Sequence, residues 1–154
     1  MDLSALLGPG NVVPTLKATN KKQVFAEMAA RAARVTKLDE RKVFDVVTER
    51  ERLGTTGIGG GIAIPHGKIA GLDRIYGFFA RVETPVDFDA VDGEPVDLVF
   101  MLLAPESAGA DHLKALAKVS RVLRDRIMCE KLRGSRNADA LYALLTESAT
   151  PHAA

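Results

Sequence analysis

His66 stands between Pro65 and Gly67, at the end of the short apolar run Ile62-Ala63-Ile64. An imidazole has an unperturbed pKa of ~6.5, so near neutral pH it is largely uncharged and able to act as a nucleophile. The stiff proline before it and the missing side chain after it predict a histidine held in a turn at a strand end, open to a second molecule's reactive atom. A plain exposed turn histidine is the competing reading. His112 follows Asp111 at the start of a predicted helix, where free N–H groups and the helix dipole favour an anion. It also shares the helical face of Leu116 and Val119, which suits a partly buried core histidine. Arg50 precedes a glycine loop and could set a fixed positive charge against a phosphate. It lies in the run Glu49-Arg50-Glu51-Arg52, which reads equally as a solvated face.

The loop itself, Gly54-Thr55-Thr56-Gly57-Ile58-Gly59-Gly60-Gly61, is glycine-rich enough to form an anion-binding nest of backbone N–H groups, or to be a flexible connector. It is not a dinucleotide fingerprint: after Gly57 and Gly59 the third required glycine is Ile62, and the loop follows a helix and precedes a strand. Nor is it a Walker loop, since Gly67-Lys68 is followed by Ile69. No metal site is expected from three histidines, His66, His112 and His152, without Cys-x-x-Cys or His-x-x-x-His spacing. Cys129, among Ile127, Met128 and Leu132, reads as packing.

The elements that must position these residues alternate between helix and strand. Asn11–Leu16 predicts a strand whose Pro14 suggests a sheet edge. Asn20 and Asp39 are N-cap signals for two successive helices, the first carrying Val24, Phe25, Met28, Ala29, Ala32 and Val35, the second Val43, Phe44, Val46 and Val47. Further strands are predicted at Ile62–Ile64, Ile75–Val82 and Val96–Leu103, the last apolar enough for burial on both faces. Asp92-Gly93 marks a turn, Asp111 opens a helix, Gly134 closes the next, and Asn137 caps a last one. The fold class is α/β: a single domain with a mixed central β-sheet and helices on both faces, covering 1–147, with a flexible tail over 148–154.

Composition narrows the function. The chain has 154 residues with 21 Lys plus Arg against 20 Asp plus Glu, a net charge of +1 that points to neither nucleic acid nor an anionic membrane. Its longest apolar run, Leu98 to Ala104, is far below spanning length, so no direct membrane insertion is expected. The start, Met1 to Leu7, lacks a basic segment and is interrupted by Gly8-Pro9-Gly10. With a single cysteine this predicts a cytoplasmic protein.

The stretch Thr55-Thr56-Gly57-Ile58-Gly59-Gly60-Gly61-Ile62-Ala63-Ile64-Pro65-His66-Gly67 resembles the active-site segment of phosphotransferase-system (PTS) enzyme IIA proteins of the fructose, mannitol and nitrogen-regulatory group. Glu49-Arg50-Glu51, Phe88-Asp89-Ala90, Pro95-Val96-Asp97-Leu98, Leu102-Leu103-Ala104-Pro105 and His112-Leu113 resemble the same family in the same order. Gly60 departs from the expected polar residue such as Asn, and Lys68 after His66-Gly67 resembles the nitrogen-regulatory type. The resemblance implies a phosphocarrier in which His66 accepts a phosphoryl group, with His112 and Arg50 stabilising it and the N–H groups of Gly57, Gly59, Gly61 and Gly67 binding phosphate. It implies an HPr-type histidine phosphocarrier protein as donor, no cofactor, and regulatory targets such as potassium transporters or sensor kinases. The alternative is a sugar-specific enzyme IIA passing phosphate to a IIB domain; Lys68 and the lack of an appended IIB or IIC segment favour the regulatory reading.

Overall fold

Strand β1 runs from Leu7 to Leu16, four residues earlier than the Val12-Val13 pair alone predicts. It lies at the edge that Pro14 suggests, pairing parallel with β5 (Tyr76–Val86). In a computed structural model that describes residues 3–147, one six-stranded sheet has the order β1-β5-β6-β3-β2, with β4 also paired to β6. The predicted tail at 148–154, with His152, lies outside the described residues.

Helix α1 (Lys21–Thr36) begins where Asn20 accepts the N–H of Gln23 at 2.8 Å, and Gln23 in return accepts the N–H of Thr19 at 2.7 Å. This reciprocal closure satisfies donors that a helix start otherwise leaves bare. Helix α2 (Glu40–Arg52) starts at the expected Asp39 cap. Both pack one face of the sheet, where Val24, Phe25, Met28, Val43 and Val47 meet Ala63, Phe78, Ala80 and Met101. Helices α3 (Ala110–Leu123), α4 (Arg126–Arg133) and α5 (Ala138–Glu147) cover the other, where Val119, Leu123, Leu132, Leu141 and Leu145 meet Ile62, Ile64, Phe79, Leu98, Phe100 and Leu102. Helices therefore lie on both faces. Between them β6 (Val96–Ala104) is fully buried from Leu98 to Ala104, as its unbroken apolar run predicts. Each of its larger side chains contributes about 1.5–3 kcal/mol by leaving water.

Two local expectations change. The glycine segment is not an open loop: β2 (Gly57–Gly59) and β3 (Ile62–Ala63) form an antiparallel hairpin. Its turn uses φ values of 102°, 68° and 81° at Gly59, Gly60 and Gly61, a left-handed run that side-chain-bearing residues resist. Glycine's poor strand propensity is overridden because β3 pairs with β6. Asp111 is also not the cap of α3. Gly109 occupies that position without a side-chain hydrogen bond, and Asp111 falls in the first turn.

His66 likewise does not sit in a turn after the strand. It opens β4 (His66–Lys68), which pairs parallel with β6. The register is the one β3 already holds: Ile62 faces Leu98 and His66 faces Leu102. β3 and β4 are thus one strand broken at Pro65, whose carbonyl still accepts the N–H of Leu102 at 2.9 Å. Strand alternation then assigns the faces. Ile62 and Ile64 belong to the α3–α5 side, and His66 and Lys68 follow them; Ala63 and Ile69 belong to the α1–α2 side, with Gly67 between them.

Gly67 was expected to leave the histidine unobstructed. It is instead buried under α2, where an added Cβ would overlap Val46 Cγ1. Gly67→Ala should therefore destabilise the fold by about 1–3 kcal/mol in denaturant unfolding, through overpacking. Gly10→Ala, where a Cβ meets nothing within 4 Å, should stay within about 0.5 kcal/mol.

Candidate functional site

Placed on the α3–α5 face by alternation, His66 meets the first turn of α3. The His66 and His112 rings lie 5.4 Å apart between centroids, inclined at 53°. The two histidines, separated in sequence, form one site.

Their nitrogens are not equivalent. His66 Nδ1 lies 2.9 Å from the carbonyl oxygen of Ile64. A carbonyl only accepts, so Nδ1 carries the proton in the neutral ring and Nε2 keeps its lone pair. In His112, which is 7% exposed, Nδ1 is buried without a hydrogen-bond partner among the described residues. An unpaired N–H there would cost more than an unpaired lone pair, which favours the opposite tautomer with the proton on Nε2. One imidazole thus offers a lone pair and its neighbour an N–H.

Burial lowers the proton affinity of His66 below the ordinary value of 6.5, and the Arg50 charge lowers it further; the Ile64 hydrogen bond and the Glu51 charge oppose them. Burial also lowers His112, helped by the charges of His66 and Lys68. Both rings are held neutral. Arg50 donates from Nη1 to the carbonyl of Gly54 at 2.9 Å, which fastens its guanidinium at the end of α2 while its charge reaches His66. Of the predicted trio, His66 and His112 are brought together, and Arg50 stands at the end of α2, held by the Gly54 carbonyl.

Gly67 adjoins His66 in β4, but the hairpin glycines are not brought to the histidines. Gly59 and Gly61 lie at the hairpin turn, opposite the Leu98 end of β6, whereas His66 is opposite Leu102. Four residues at ~3.3 Å each separate them by roughly 13 Å. The turn does hold an anion, but it is the chain's own: Gly60 N–H donates to Asp92 at 2.9 Å and keeps that carboxyl below its ordinary range. Arg133 fastens the turn from α4, donating to Asp97 at 2.8 Å and to the Gly60 carbonyl at 2.7 Å. The N–H of Gly57 is committed to Thr55 Oγ1.

Clefts of about 700 Å³ beside Gly60, Cys129 and Arg133, and of about 820 Å³ between α1 and α2, do not include either histidine. Cys129 is buried, its thiol pushed up by burial and donating to the Leu123 carbonyl, which supports its reading as packing. Among the described residues no group of three or more His, Cys, Asp or Glu could hold a metal, and no helix is long and apolar enough to cross a membrane. Sequence reasoning missed two features. The alternation Ile62, Ile64, His66, Lys68 was visible but was cut short at Pro65. Glu51, inside a charged run, gave no local signal of being buried.

Known proteins share this arrangement of elements. The family model described as "Phosphoenolpyruvate-dependent sugar phosphotransferase system, EIIA 2" matches residues 5–148. A nitrogen regulatory protein of Bradyrhizobium diazoefficiens is 54% identical over 145 residues, covering 94% of this chain and 95% of its own length. That of Escherichia coli is 37% identical over 149 residues, covering 96% and 91%. The crystal structure of nitrogen regulatory protein IIA-Ntr from Neisseria meningitidis superposes with a TM-score of 0.88 at 38% identity, covering 94% of this chain and 99% of that one.

Because both imidazoles are held neutral, the unfolded chain takes up protons before the folded one as pH falls. Stability from these groups is present in full above pH 6.5 and is lost as pH drops from there toward their depressed folded values. A His66→Gln, His112→Gln double variant should flatten that part of the curve, read as the urea midpoint between about pH 7 and pH 5.

Proposed function

The chain belongs to the EIIA 2 family of the phosphoenolpyruvate-dependent sugar phosphotransferase system, among its nitrogen regulatory proteins, and on that premise we propose that it is a cytoplasmic phosphocarrier whose output is regulatory. His66 accepts a phosphoryl group from an HPr-type histidine phosphocarrier, and target proteins, potassium transporters or sensor kinases among them, read its phosphorylation state. The observation that carries this reading is the hydrogen bond from His66 Nδ1 to the Ile64 carbonyl, which leaves Nε2 as the nucleophile.

In the transfer, the Nε2 lone pair forms a new N–P bond as the N–P bond of the donor's phosphohistidine breaks, its electron pair staying on the donor imidazole. Nδ1 keeps its proton, and the Ile64 carbonyl stabilises the positive charge that the ring acquires. The phosphoryl oxygens carry spread negative charge, so positioning and neutralisation do most of the work. His112 donates to one of these oxygens from Nε2, and Arg50 supplies a fixed cation. A phosphoramidate is labile enough to be passed on, as a relay requires.

Incubation with phosphoenolpyruvate, enzyme I and an HPr-type protein, followed by intact-mass analysis at alkaline pH, tests the proposal. We expect a gain of one phosphoryl group, lost in mild acid and absent in His66→Ala; acid-labile label retained by His66→Ala would refute the assignment. His112→Gln should slow transfer by roughly 10²-fold while the label still appears. Rapid loss of label to a sugar-specific IIB domain would overturn the regulatory output.

A further inference from the structure

Within Glu49-Arg50-Glu51-Arg52 the side chains part company. Those of Glu49 and Arg52 are 70% and 71% exposed, pairing with each other at the surface, while that of Glu51 is 7% exposed. Its carboxylate accepts three hydrogen bonds. Oε1 accepts the hydroxyl of Thr56 at 2.6 Å; Oε2 accepts the Thr56 N–H at 3.0 Å and Lys21 Nζ at 3.0 Å. Thr56, itself 4% exposed, accepts the N–H of Ile64 at 3.0 Å through its carbonyl, and the Ile64 carbonyl accepts Nδ1–H of His66. Hydrogen bonds joined through the backbones of Thr56 and Ile64 thus link the Glu51 carboxylate to the His66 ring.

We propose that Glu51 is a positioning residue for the reaction at His66, holding the imidazole through Thr56 and Ile64 so that Nε2 faces the donor, and keeping the phosphoryl group transferable by its negative charge. This rests on the reading of His66 as phosphoryl acceptor. A neutral amide could still reach Thr56, but it would leave Lys21 Nζ without its ion pair and the site without a negative charge. What an amide cannot supply is charge. His112 of α3 lies against the His66 ring, the charges of Arg50 and Glu51 reach it from α2, and Lys68 follows on its own strand. Arg50 and Glu51 act on the ring in opposite directions. Arg50 attracts an incoming phosphoryl dianion, whereas Glu51 opposes it. Two consecutive residues of opposite sign let the site capture the group without trapping it, as a carrier must.

The test compares Glu51→Gln with Glu51→Asp. In the unphosphorylated protein, ¹⁵N NMR of His66 should show the Nδ1–H tautomer less populated in Glu51→Gln and its titration midpoint lowered, because a negative charge that favours the imidazolium is gone. With a phosphorylated HPr-type donor, Glu51→Gln should be phosphorylated roughly 10- to 100-fold more slowly, with KM for the donor within about twofold. At equilibrium it should nevertheless hold more phosphate, by roughly three- to tenfold, since the opposing charge is absent. Glu51→Asp retains the charge and should keep the equilibrium while loosening the tautomer.

Slower transfer combined with fuller phosphorylation is a signature that a purely structural role does not produce. Unchanged tautomer and equilibrium in Glu51→Gln, with only a lowered Tm, would overturn the proposal. Should that variant fail to fold, Thr56→Val carries the test: a loosened His66 tautomer supports the relay and an unchanged one refutes it. If wild-type protein took no phosphoryl group, the assignment of His66 would fall, while the NMR comparison would still decide whether Glu51 holds the ring.

Discussion

The pairing of Ile62 to Lys68 along the buried strand β6 in a single register constrains everything at the site. A slip of one residue would exchange the two faces, sending His66 under α2 and Gly67 toward α3. Three features resist that slip. Ile62 and Ile64 are buried among Leu98, Phe100 and Leu102 on one side, and Ala63 and Ile69 among the α1–α2 core on the other. Gly67 is the one residue of β4 that α2 can approach closely, because Val46 occupies the space a Cβ would need. Pro65 interrupts the strand without changing its partners, since it lacks only a donor and its carbonyl remains bonded. His66 is thereby carried beside the buried strand β6.

Sequence and structure agree where local chemistry decides the outcome. Asn20, Asp39 and Asn137 announce their helices because a capping oxygen satisfies donors two or three residues away. The seven apolar residues from Leu98 to Ala104 announce a strand buried on both faces. They part where a distant partner decides it. The glycines of β2 favour a loop by every local measure, and only pairing with β3 makes them a strand. A three-residue strand beginning one residue after a proline carries no periodicity of its own, so the place of His66 in β4 depends on Leu102, thirty-six positions later. Asp111 resembles a cap, but the backbone reverses earlier, at Gly109, where φ is 54°.

The candidate site shows the same division. His66, His112 and Arg50 were legible as residue types suited to phosphate, and the fold sets the two histidine rings 5.4 Å apart. The glycine segment reads as an anion nest, and in the fold one of its N–H groups, that of Gly60, donates to Asp92, tying the hairpin to the turn that follows β5. Glu51 was illegible because a charge in a run of charges looks solvated; only the positions of Thr56 and Lys21 turn it inward.

Burial, more than charge, shapes the chemistry. Desolvation is the largest influence on both imidazoles, and it keeps them neutral where a cationic pair would bind phosphate more strongly. Tight binding would be a defect in a carrier, because the group must leave as readily as it arrives. In the transfer proposed above, a neutral lone pair on one ring, a neutral N–H on the other and the Arg50 guanidinium would favour the transferring phosphoryl group over the resting phosphohistidine. Charge spread over three oxygens in flight gains most from preorganised donors. Once the N–P bond has formed, the proton on Nδ1 and the Ile64 carbonyl hold the ring as a good leaving group. The same hydrogen bond that directs the nucleophile therefore also prepares its departure.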